Sequence, residues 1–157
     1  PPLQRSAAEP GLVAQVLAAL GADASQLRAA QWLDNGPQWL GLLLDSAASV
    51  LALEPDHAAL QSLTKVGVIG PCAPGGASAF EVRAFAAPIG IAEDPVTGSL
   101  NASLAQWLIA EGVAPPRYVA AQGARLERAG RVHVELREGQ VWVGGSSVIC
   151  VEGRVLL

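Results

Sequence analysis

The amino-acid sequence predicts an α+β fold in which a mostly antiparallel, barrel-like sheet wraps around one central apolar helix. Three observations carry this expectation. Between residues 98 and 111, Leu100, Ala102, Leu104, Ala105, Trp107, Leu108, Ile109 and Ala110 cover most of a helix's circumference, so no polar face is left for solvent. From Val66 onward, short apolar or alternating runs separated by Gly and Pro read as strands. The chain has 157 residues, 51% of them hydrophobic and 15% charged, enough to bury one substantial core. A helix without a polar face has to be surrounded, and a curled sheet does this economically.

Taken in order, residues 9–21 form the first element: Leu12, Val13, Val16, Leu17 and Leu20 recur at helical spacing, with Pro10 in the first turn and Gly21 as a stop. Residues 38–45 are a nearly continuous apolar run suited to a buried strand, and 55–64 suit a helix that starts at an acidic turn. Two strands follow, VGVIG from Val66 and FEVRAFA from Phe80, with the Pro- and Gly-rich PCAPGGAS as the loop between them. After the central helix comes the strand YVAAQG. Val132, Val134 and Leu136 then alternate with His133, Glu135 and Arg137 in a hairpin that turns at Glu138-Gly139 and returns through Val141 to Gly145. A last hairpin is expected in SSVICVEGRVLL, with Glu152-Gly153 at its tip.

Charge and composition exclude some classes of function. A net charge of −4 provides no basic field for nucleic acid. The apolar runs stop short of the roughly 20 residues of a membrane span, and no export signal opens the chain, so a cytoplasmic protein without membrane contact is expected. Cys72 and Cys150 lack metal-ligand spacing and read as free thiols. The chain has no methionine and begins Pro1-Pro2, which favours a piece of a longer polypeptide.

Immediately before the central helix stands Glu93-Asp94-Pro95-Val96-Thr97-Gly98-Ser99. The first N–H groups of a helix lack internal partners and carry the positive end of its dipole. With Gly98 removing side-chain bulk, the helix start is a candidate anion site. The plainer alternative is that Thr97 or Ser99 caps the helix and Asp94 closes a turn before Pro95. Spacing alone leaves both readings open.

The run Arg83-Ala84-Phe85 followed by Gly90-Ile91-Ala92-Glu93-Asp94-Pro95-Val96-Thr97-Gly98-Ser99 closely resembles the signature of the phenazine-biosynthesis PhzF-like family, which is similar in fold to diaminopimelate epimerase. Pro55-Asp56 with Ala58, Ala59 and Leu60, Gln122-Gly123 with Arg128 and Gly130, residues 141–145 and residues 151–156 resemble further family elements in order. The resemblance covers nearly the whole chain.

This resemblance implies a two-domain enzyme, each domain a barrel-like sheet around a helix, with the site between the two helix starts. Residues 1–157 would be a single domain, the C-terminal half, and the N-terminal domain would be absent. The implied activity is a cofactor-independent isomerase that shifts a proton on a small carboxylate-bearing metabolite. The family's proton-moving glutamate belongs to the absent domain, so this chain alone is expected to be inactive. Asp94 and Ser99 are then the catalytic candidates, with Asp94 orienting the substrate's polar group. Thr97, Gly98 and Ser99 would bind the substrate, the two amides and the Ser99 hydroxyl holding a carboxylate or oxyanion. No cofactor and no metal are expected; the metabolite and the missing domain are the expected partners. A homodimer is expected because an apolar chain without its partner domain exposes a sizeable patch. The alternative is a non-catalytic binding or assembly module that keeps the anion-binding helix start.

Two departures stand out. Leu100-Asn101 replaces the Ala-His common in the family, which removes or alters any role of that imidazole. Thr97 stands where epimerases of similar fold have a catalytic cysteine, and a threonine hydroxyl is too weak an acid to replace a thiol. Other motifs point nowhere specific: Gly98-Ser99 is not part of a GxSxG elbow, His57 and His133 lack a base-like context, and Gly75-Gly76 has no phosphate-loop lysine. Trp32, Trp39, Trp107 and Trp142 are scattered and read as packing residues.

Overall fold

Alternation along each strand decides which side of the sheet a residue serves. In the computed structural model, which describes residues 2–156, β3 (Gln38–Leu44) sends Trp39 and Leu43 to one core and Leu40, Leu42 and Leu44 to another. β4 (Val66–Pro71) divides Ile69 from Val66 and Val68 in the same way, and β5 (Phe80–Ala86) divides Phe80, Val82 and Ala84 from Phe85. Strands apolar on both faces need a covering layer on each side.

These strands belong to one nine-stranded sheet with the path β1-β2-β3-β4-β5-β7-β8-β9 and β6 paired to β5. The remaining strands are β1 (Gln4–Ala7), β2 (Leu27–Asp34), β6 (Ile91–Asp94), β7 (Arg117–Gln122), β8 (Gly130–Arg137) and β9 (Gln140–Gly144). Most pairs are antiparallel, but β3–β4 and β5–β7 are parallel. Parallel neighbours require a crossover, and helices supply both. α2 (Ala47–Ala52) and α3 (His57–Gln61) lead from β3 to β4; α4 (Gly98–Ala110) leads to β7.

α4 occupies one face. Its Leu100, Leu104, Ala105, Trp107 and Leu108 are buried in a core completed by Leu33, Ile69, Val82, Ala120 and Val132 from five strands. Gly67 makes the close approach possible, because a Cβ there would collide with the Leu100 side chain. The opposite face is covered by α2, α3 and α1 (Pro10–Leu20), whose Val16 and Leu20 pack with Leu42, Val68 and Phe85. α1 ends at Gly21, held at φ 65 with its N–H on Ala18 O, the left-handed stop the sequence announces.

Three features correct the sequence reading. The sheet is open: its path runs from β1 to β9, and no pairing joins those ends among the described residues, so the expected barrel-like closure is not formed. Apolar surface on both faces is buried between helices instead, which removes the need for closure. The expected terminal hairpin is absent as well among the described residues, outside which its last residue, Leu157, lies. Residues 145–156 carry no strand, and Val148, Ile149, Val151 and Val155 are at least 80% exposed, with no partner surface among the described residues. Finally, β1, β2, α2 and β6 were not announced. β1 is wholly exposed and β2 mostly half-buried, so neither shows a clean apolar alternation. Glu138 (φ 48) and Gly139 (φ 76) do form the expected β8–β9 turn, both left-handed as a two-residue hairpin requires. No helix is long and apolar enough to cross a membrane among the described residues.

Candidate active site

The loop entering α4 is held from three directions. β6 pairs with β5, setting Asp94 opposite Ala84. From the neighbouring position on β5, Arg83 reaches Glu93 with Nε on Oε1 at 3.0 Å and Nη2 on Oε2 at 2.9 Å. At the end of β7, Gly123 adopts φ 93 with its Cα against Pro95 O, where any side chain would clash.

Inside this frame, Gln122 links both sides of the loop. Its Oε1 accepts from Thr97 N at 3.1 Å and from Asn101 Nδ2 at 2.8 Å. Its Nε2 donates to Asp94 O at 2.9 Å and to Thr97 Oγ1 at 3.0 Å. Thr97 Oγ1 in turn donates to Asp94 Oδ2 at 2.6 Å. Gln122, Asn101 and Thr97 are all buried, at 1%, 2% and 6% exposure, so their polar atoms must be satisfied by one another.

Sequence reasoning brings Asp94, Thr97, Gly98 and Ser99 to one point, and the structure places them together. Their surroundings differ from one another. Thr97 occupies the N-cap position, yet its side chain makes no capping bond, because the hydroxyl is committed to Asp94. Any action of Thr97 on a ligand therefore runs through Asp94 or the backbone. Gly98 is exposed, and the Gly98 and Ser99 N–H groups have no partner among the described residues. Ser99 Oγ accepts from Trp39 Nε1 at 3.3 Å, which leaves its own proton free to be donated, and Asn35 Nδ2 holds Ser99 O at 3.0 Å. The helix dipole adds positive potential at these amides. The arrangement offers donors for an anion beside a carboxylate that has one oxygen already engaged.

Four contributors were not singled out as site residues from sequence. Asn101 follows Thr97 by four, one helical turn, which is the only signal that it could turn back on the loop. Gln122 lies 25 residues from Thr97, and Asn35 and Trp39 lie 64 and 60 from Ser99; only the sheet's register joins them. Beside Arg83, the carboxyl of Glu81 is pushed up by burial, against the pull of Arg131 and Arg83. Cys72 and Cys150 are unpaired, and burial pushes the Cys72 thiol up. No group of three or more His, Cys, Asp or Glu stands ready for a metal among the described residues. Hollows of about 470, 440 and 390 Å³ are lined by other residues, and Gly98 at the α4 start is exposed.

The sequence profile of the family described as phenazine biosynthesis-like protein, PhzC-PhzF, matches residues 1–153. The chain belongs to this family. Similar curated proteins include antisense-enhancing sequence 1 of Schizosaccharomyces pombe, 30% identical over 83% of this chain and 47% of that protein. Trans-2,3-dihydro-3-hydroxyanthranilate isomerase of Pseudomonas aeruginosa is 31% identical over 92% of this chain and 53% of that protein. An uncharacterized isomerase of Deinococcus radiodurans is 38% identical over 71% and 40%. The chain thus spans about half the length of the curated relatives it matches.

Solved PhzF-family structures share the fold. The protein from Bacillus anthracis superposes with a TM-score of 0.72 at 15% identity over 90% of this chain and 53% of its own. That from Enterococcus faecalis gives 0.68 at 25% identity over 98% and 54%. Within this PhzC-PhzF member, the Leu100-Asn101 departure has a structural meaning: Leu100 fills the gap above Gly67, and Asn101 ties the helix to Gln122.

Proposed function

We propose that this chain is the substrate-holding half of a cofactor-independent isomerase that moves a proton on a small carboxylate-bearing metabolite. The observation that carries the reading is the α4 start, where the open Gly98 and Ser99 amides and the Ser99 hydroxyl stand beside Asp94, whose Oδ2 is engaged by Thr97. Donors fixed before the ligand arrives stabilise a carboxylate or developing oxyanion without reorganisation. Asp94 would then orient the polar group of the substrate, and a second lobe would bring the group that carries the proton. Two observations support a second lobe: the relatives are about twice as long, and Gly98 at the α4 start is exposed. The exposed Val148, Ile149, Val151 and Val155 provide apolar surface for that lobe or for a second copy of the chain. Relatives named as isomerases support the reaction class, and one is named for trans-2,3-dihydro-3-hydroxyanthranilate.

The test is solvent exchange. The full-length protein, incubated in D₂O with trans-2,3-dihydro-3-hydroxyanthranilate and related unsaturated carboxylates, should place solvent deuterium on carbon of one of them. Asp94→Asn should suppress this. Carboxylate binding at Gly98 and Ser99 without exchange in any substrate would favour a non-catalytic binding or assembly module instead.

A further inference from the structure

The hydrogen bonds around Gln122 have only one consistent direction. Thr97 N is a backbone donor and Asp94 O a carbonyl acceptor, so the first fixes Gln122 Oε1 and the second fixes Nε2. The amide orientation is therefore set twice over. Nε2 then presents its second proton to Thr97 Oγ1 at 3.0 Å, and that oxygen, having accepted, turns its own proton to Asp94 Oδ2 at 2.6 Å. Asn101 Nδ2 fills the last acceptor position of Gln122 Oε1 at 2.8 Å. Every hydrogen-bonding capacity of the Gln122 amide is used, inside a residue that is 1% exposed.

From this we infer that Gln122 is a positioning residue that sets the direction of the Thr97 hydroxyl, so that Asp94 meets its ligand as a carboxylate with Oδ2 occupied and Oδ1 as the working oxygen. The inference rests on the reading of Asp94 as a ligand-orienting group. Without Gln122, the Thr97 hydroxyl could accept from other donors or rotate away, and both Asp94 oxygens would become equivalent. With it, the carboxylate is clamped through one oxygen and cannot swing. A glutamate in place of Gln122 would supply acceptors only, so it would draw the Thr97 proton away from Asp94.

The experiment uses the 157-residue chain and needs no turnover, so its failure is separable from failure of the isomerase reading. With aspartate labelled at the carboxyl carbon, the Asp94 resonance is recorded at neutral pH in the unaltered chain and in Thr97→Val, Thr97→Ser, Gln122→Glu and Gln122→Met. The expected result is a displaced Asp94 carboxyl resonance in Thr97→Val and a displacement in the same direction in both Gln122 variants. Thr97→Ser, which keeps the hydroxyl, should stay at the original position. A folded Gln122→Met chain with an unmoved Asp94 resonance would overturn the inference. Because the Gln122 variants could fail to fold, neutron diffraction from deuterium-exchanged crystals of the unaltered chain gives a second decision. A Thr97 deuteron lying between Oγ1 and Asp94 Oδ2, with Gln122 deuterons on Asp94 O and Thr97 Oγ1, supports it; a Thr97 deuteron directed elsewhere overturns it.

Discussion

Arg83 and Glu93 meet through two parallel hydrogen bonds with side chains only 4% and 6% exposed. The same guanidinium donates from Nη1 to Leu53 O at 2.8 Å and Val50 O at 3.3 Å, the carbonyls at the end of α2. One side chain on β5 thus ties the helix layer to the strand that delivers Asp94. Glu93, adjacent to Asp94 in the family motif, acts as an anchor of that strand, and Asp94 alone of the pair turns toward the α4 start.

Breaking this pair from one side should be costly. Arg83→Met leaves the Glu93 carboxylate buried and uncompensated, with an expected loss of about 3–5 kcal/mol in urea unfolding. The double variant Arg83→Met/Glu93→Leu should recover much of that loss. Equal instability of the single and double variants would show that the α2 carbonyls, and not the ion pair, need Arg83.

The α4 core gives a second expectation. Leu104 is 0% and Trp107 1% exposed, and a carboxylate at either site would be buried without a partner. Leu104→Asp or Trp107→Asp should abolish cooperative unfolding, since the cost of several kcal/mol is comparable with the whole stability of a domain. Circular dichroism and thermal melts would decide it; a folded, cooperative variant would contradict the observed burial of α4.

Acetate or sulfate titrated into the labelled chain should shift the Gly98 and Ser99 amide resonances before others, because those donors belong to the helix itself. In the full-length protein, Asp94→Asn should lower turnover by about 10²-fold or more while the fold is retained. Unshifted amides together with full activity of Asp94→Asn would reduce the motif to a structural turn.

Glu81 gives a pH expectation. Burial favours its neutral form in the folded chain, outweighing Arg131 and Arg83, so its carboxyl titrates higher folded than unfolded. The associated stability is complete below the ordinary carboxylate range and is lost as pH rises through the raised value. Glu81→Gln should remove that loss. Chemical unfolding between about pH 4 and pH 8 should therefore show the variant gaining on the unaltered chain as pH increases; a constant difference would contradict the shift.

Local periodicity determined much of this protein. The apolar run from Leu100 to Ala110, the Gly21 stop, the Glu138-Gly139 turn and the alternation of Val132 with His133 each become what their spacing announces, because the type of each element follows from residues close in sequence. The EDPVTGS run likewise marked the helix start as the place to look. Tertiary structure decided the rest. Whether the sheet closes depends on what covers its outer face, and the amphipathic α1 announces a buried stripe but not the surface that receives it. The hairpin expected at residues 146–157 has apolar residues in the right pattern, but pattern cannot provide a neighbouring strand, and a strand is stable only when paired. The site shows the same division. Asp94, Thr97, Gly98 and Ser99 are neighbours in sequence and were legible there, whereas Gln122, Asn35 and Trp39 reach them only through the crossover that lays β7 beside β5 and the β2–β3 turn against α4. Side-chain hydrogen bonds span about 3 Å, so which distant residues make them is decided by strand register.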